Sequence, residues 1–142
     1  MMSQDWSYQI RVYLSDALAD AVRGDPGSAL LAPLEAVLRR HHATLACQFD
    51  AFAAYVAEAE REGIEGYPLY RWTRATIDDP VKAAKHRLAF AVRVGGQEVC
   101  ARAVADALEA ELLPLVDTKG ITRVSKHDNN PANNIPVPAE YR

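Results

Sequence analysis

Cysteine is scarce in this chain, and its scarcity excludes a good deal. Only Cys47 and Cys100 occur in 142 residues, so no disulfide framework holds the fold. Both lie in alanine-rich, apolar surroundings, where free buried thiols in a reducing compartment are the expectation. No Cys-x-x-Cys or His-x-x-x-His spacing occurs, and no Gly-x-Ser-x-Gly elbow, so neither a metal-ligand motif nor a nucleophile motif is present. No apolar run approaches the roughly 18 residues that span a bilayer. The N-terminus lacks the basic and apolar regions of a signal peptide. A net charge of −3 gives no global basic excess toward nucleic acid or anionic lipid. These absences predict a cytoplasmic protein with no membrane contact and no cofactor. Heavy use of Ala, Arg, Val and Asp points to a GC-rich bacterial coding sequence.

What is present suits one globular domain, with 49% apolar and 25% charged residues. We expect an α+β domain over 1–126 and an extended C-terminal arm over 127–142. The arm holds four Asn and three Pro and shows no apolar periodicity. Prolines stiffen it, and it is expected to drape over its own domain or a neighbouring subunit.

Tyr8, Ile10, Val12 and Leu14 alternate with polar neighbours, the period of a half-buried strand. Ser15 then offers an N-cap, and Gly24 a stop, for a short helix. The stretch 28–62 predicts a long helix. Leu31, Leu34, Leu38, Leu45, Phe49, Phe52 and Val56 recur every three or four places, and Gly63 closes it. Its regular part starts near Ala32, because Pro33 is tolerated only in a first turn. Leu45, Cys47 and Phe49 also alternate well enough for a competing short strand, but the alanine-rich flanks favour helix. Aromatic and β-branched residues over 67–77 predict a strand, and 87–94 another, with a turn of helix at 81–86 between them. A helix then carries Cys100, Ala103, Val104, Ala107, Leu108, Leu112 and Leu115 on one face. A last short strand covers 121–126.

Strand, helices, hairpin, helix and strand, joined by right-handed crossovers, predict a ferredoxin-like split βαβ (β-α-β-β-α-β) with a long first helix. Helices cover one sheet face, and the other is free for solvent, ligand or a second copy.

The most informative local chemistry is basic and aromatic. Tyr70, Arg71, Trp72, Arg74, Lys85 and Arg87 fall in the expected hairpin, where Tyr70, Trp72 and Arg74 would share one strand face. Such a face suits stacking on bases or holding an anion. His127 in the arm could close over a ligand. Gly95-Gly96 before a helix could place N–H groups on a phosphate. Val12-Tyr13-Leu14 resembles the start of the shorter signature of RNA-recognition motifs. The stretch 87–94 lacks that family's glycine and second aromatic, so the chain is not assigned to it.

The leading expectation is therefore a non-enzymatic binding or assembly module, acting as a homo-oligomer (a homodimer in the simplest case) through its open sheet face or its arm. The alternative is a nucleic-acid or anionic-ligand binder using the hairpin. A third is a small enzyme built around His86 or His127 with a carboxylate brought close by the fold.

Overall fold

Strand β1 (Tyr8–Leu14) buries every second residue, Tyr8, Ile10, Val12 and Leu14, as its alternation requires. A computed structural model describes residues 7–130 and 136–142. Ser15 caps helix α1 (Asp16–Gly24), its side chain accepting from the Leu18 amide. Ser28 does the same for a 3-10 turn at Ala29–Leu31, and helix α2 (Ala32–Arg40) begins with Pro33 in its first turn.

The expected long helix over 28–62 is broken. After α2 the chain turns at His42, whose φ of 52° ends the helical path. It then forms strand β2 (Ala43–Cys47) and only then helix α3 (Gln48–Glu62), closed by Gly63 at φ 107°. Helix propensity is a weak prior, and here a ladder of five residue pairs with strand β3 (Ala89–Val94) outweighs it.

The strand expected over 67–77 is likewise absent. A 3-10 turn at Ile64–Gly66 leads into helix α4 (Tyr70–Asp78). Asp79 then caps helix α5 (Pro80–Arg87) by accepting from the Val81 and Lys82 amides. The place beside β3 that a 67–77 strand needed is filled by β2. The two strands are thus joined by a three-helix insertion and not by a hairpin.

Helix α6 (Arg102–Leu112) buries Ala105, Leu108 and Leu112. Ala103 and Ala107, expected on its inner face, are exposed. Strand β4 (Ile121–Asp128) runs past residue 126, so His127 belongs to the sheet and not to the arm.

The chain is α+β, with six α-helices among the described residues and a four-stranded sheet ordered β2-β3-β1-β4. Every neighbouring pair is antiparallel. Helices α1, α2 and α6 lie on one side and close a core around Ile10, Val12, Phe90, Val92, Leu108 and Leu112. The insertion α3–α5 stands against β2 and β3. Among the described residues no helix is long and apolar enough to cross a membrane.

Candidate outer face of the sheet

Side chains alternate across a strand, so the register fixes which residues face away from α1, α2 and α6. Ile10 pairs with Val92 and Val12 with Phe90, all buried in the core. The residues between them point outward: Gln9, Arg11 and Tyr13 on β1, and Ala89, Ala91 and Arg93 on β3. Ala89 and Ala91 are nonetheless buried, because the insertion α3–α5 stands against β2 and β3. The expected free face is therefore open only toward β1 and β4. On β4, Tyr13 pairs with Arg123, Arg11 with Ser125 and Gln9 with His127. On β2, Thr44 pairs with Arg93 and Ala46 with Ala91. No aspartate or glutamate takes an outward position on any strand among the described residues.

Three arginines therefore fall on a diagonal. Arg123 lies level with Tyr13, Arg11 two residues along on the next strand, and Arg93 one residue beyond Val92, the partner of Ile10, on the strand after that. Diagonal neighbours of this kind are about 7–8 Å apart. Arg123 is exposed, while Arg11, Tyr13, Arg93, Ser125 and His127 are half-buried.

Each arginine is only partly satisfied. The Arg123 guanidinium stacks 5.1 Å from the centre of the Tyr13 ring. Arg11 Nε donates to Gln9 Oε1 at 2.6 Å. Arg93 Nη2 donates to Glu98 Oε1 at 3.3 Å, from the loop after β3, and its buried Nε has no acceptor among the described residues. A buried donor without an acceptor costs free energy.

Two histidines are lowered first by burial, with Arg11 among the charges that add to it. Burial first, and then the Arg11 charge, hold His127 below its ordinary value, with Asp128 opposing. His86, on α5, is lowered by burial first, then by Lys85, Arg11 and Lys82. Neither ring has a hydrogen-bonded carboxylate among the described residues. The histidine that does is His41, whose Nε2 meets Glu111 alongside Arg40. Those contacts hold the Glu111 carboxyl below the usual range and tie the end of α2 to α6.

The expected hairpin site is dispersed over the insertion. Residues two apart on a helix do not share a face, so Trp72 turns away from Tyr70 and Arg74, which lie four apart and meet the same Glu60. The Tyr70 hydroxyl donates to Glu60 at 2.7 Å. Arg74 pairs with Glu60 and with Asp78. Arg71 Nη1 donates to the Arg142 carbonyl at 3.4 Å, where the end of the arm meets its own domain. Trp72 lines a cavity, Lys85 is exposed on α5, and Arg87 stacks on Phe49 at 4.3 Å. Of the expected site residues, only His127 reaches the outer face. Arg11, Tyr13, Arg93 and Arg123 were legible as the polar members of each two-residue period.

Gly95 and Gly96 form a positive-φ turn, six residues ahead of α6, and so present no helix N-terminus. Both cysteines are free, and burial pushes the Cys100 thiol up. No group of three His, Cys, Asp or Glu that could hold a metal occurs among the described residues. No family model, curated protein or solved structure matches the chain.

Proposed function

We propose that the protein binds single-stranded nucleic acid across the outer face of its sheet. The carrying observation is the diagonal Arg123–Arg11–Arg93, beside Tyr13 and on a surface whose strands supply no carboxylate. Regularly stepped cations suit a linear polyanion better than a compact one, which needs groups converging on a point. Tyr13 and the planar guanidinium groups add faces on which bases can stack. The chain is acidic overall, so the positive surface is local, as steering of an anion requires.

The same arrangement weighs against a homo-oligomer joined face to face, because Arg11, Arg93 and Arg123 would meet their own copies. Like charges so placed are unfavourable. The enzyme reading needs a carboxylate bonded to His86 or His127, and among the described residues neither ring has one.

The proposal extends to the architecture, a ferredoxin-like split βαβ layer with 48–87 as an insertion between its second and third strands. Its support is the order β2-β3-β1-β4 with all pairs antiparallel and helices α1, α2 and α6 on one side.

The test is fluorescence anisotropy with labelled single-stranded oligonucleotides over a salt series. Binding should weaken steeply with salt, and Arg11→Ala/Arg123→Ala should flatten the log–log slope by about 1.4, two contacts at about 0.7 each. Lys126→Ala is the control, since Lys126 lies on the helix side, paired with Asp106 and Glu109. Absence of binding at low salt, or an equal loss in the control, sinks the proposal.

A further inference from the structure

The insertion holds a second feature, independent of the sheet face. Its three helices do not close on one another: α4 has no fully buried residue, and α5 buries only Ala83. Between them and α3 lies a cavity of about 380 Å³, within the range of small-molecule sites. Phe52 and Trp72 form its apolar walls, with Leu69 at the rim. Leu69 remains 42% exposed, a large apolar surface left uncovered at the mouth.

The polar side chains lining this cavity are Thr73, Thr76, Lys82 and His86, of which Lys82 carries a full positive charge. Lys82 and His86 lie four residues apart on α5 and so project to the same side. The His86 ring meets Phe52 edge-on, with centroids 5.0 Å apart, which fixes its orientation. The Thr76 hydroxyl is used, donating to the Trp72 carbonyl at 2.9 Å. The Thr73 hydroxyl and the Lys82 ammonium have no partner among the described residues. Among the described residues no aspartate or glutamate lines the cavity.

A comparison shows why this matters. A cavity of about 400 Å³ beside β2 is as large, but its charged residues are Glu35 and Arg39, which pair with each other at 3.9 Å. That site is already neutral, whereas the one in the insertion is cationic.

We infer that the insertion binds a small carboxylate with an aromatic or branched apolar body in the cavity between α3, α4 and α5. The apolar body lies between Trp72 and Phe52, and the carboxylate accepts from Lys82 Nζ and the Thr73 hydroxyl. Burial and the neighbouring cations keep His86 neutral, so it contributes one N–H and no competing charge.

The test is a titration of the full chain with 4-phenylbutyrate, and with its neutral amide, followed on the Trp72 indole N–H by NMR. The carboxylate should shift that resonance in a saturable way and bind about tenfold more tightly than the amide, the weight of one charge-assisted contact. Lys82→Met, which keeps the apolar stem, should lose the same factor while the spectrum stays folded. Arg123→Ala, which leaves Arg11 and its influence on His86 in place, should bind the probe as the native chain does, whatever its effect on nucleic acid. Equal affinity for the two probes, no effect of Lys82→Met, or no Trp72 shift at millimolar probe overturns the inference. So does loss of probe binding in Arg123→Ala, which would move the probe to the sheet.

Discussion

The inserted helices α3–α5 use about half as much chain as the sheet with α1, α2 and α6, and the two are packed very differently. In the sheet region, Ile10, Val12, Leu14, Phe90, Leu108, Leu112 and Ile121 are at most 1% exposed. In the insertion, the fully buried residues are Gln48, Val56, Ala59 and Ala83, two of them alanines, and the aromatic side chains stay half-buried around a cavity. Burial of large apolar groups is the main favourable term in folding. One region therefore holds the architecture, and the other is carried by it. Regions with few buried apolar contacts open locally at low cost, which suits a ligand cavity.

The sharpest way to break that contrast is to remove a large side chain from each region. Phe90→Ala should destabilise the whole chain by about 3–5 kcal/mol, transfer and cavity terms together. Val56→Ala should cost about 1–2 kcal/mol, at the modest end for a core truncation. Urea melts followed by circular dichroism compare the two. Hydrogen exchange should place the α4 and α5 amides well below those of β1 and β3 in protection. Equal costs, or equal protection, would show a single cooperative unit.

Gly120 gives the next largest effect. It sits at φ +84°, and a Cβ there would meet the Leu18 side chain at 2.9 Å. Gly96 has φ +80° but open space around it. Gly96→Ala should lose the left-handed penalty alone, about 1–2 kcal/mol. Gly120→Ala adds a clash with a core leucine and should cost more, by thermal melt. If the two match, Leu18 yields freely, and the core beside β4 is looser than its burial implies.

These regions also differ in how plainly the sequence declared them. Tyr8 to Leu14 showed its strand because one face is buried and the other wet, so the two-residue period survives in the residue types. The caps at Ser15 and Ser28, the first-turn Pro33 and the stop at Gly63 were equally local and equally legible. β2 was not, because Ala43–Cys47 sits between two helices and uses alanines that suit either state. Only its pairing with a strand more than forty residues on decides it. The same remote decision turned 67–77 into helix: its aromatic residues suit a strand, but no sheet position remained for them. The candidate site followed suit. Its outward arginines were visible as single polar residues, while their diagonal needed the register of three strands.

The smallest effect should come from the histidines, one in each region. His127 on β4 and His86 on α5 are both held below the ordinary 6.5, mainly by burial, and both feel Arg11. Between the folded and ordinary values, the unfolded chain binds more protons than the native one, so stability rises with pH. The associated stability is fully present above about 6.5 and is lost as pH falls through the lower folded values, after which it levels. Urea midpoints at pH 7.5 and 5 should show this loss, and His127→Gln or His86→Gln should each shrink it. With few buried residues to hold the insertion closed, the His86 share should also be seen in local exchange of α5 amides, while the His127 share tracks global unfolding. Arg11→Ala removes a positive charge common to both rings and should raise both titrations when each imidazole is followed by NMR. If only His127 moves, the insertion is electrostatically separate from the sheet face, and the two proposed sites are independent in charge as well as in position.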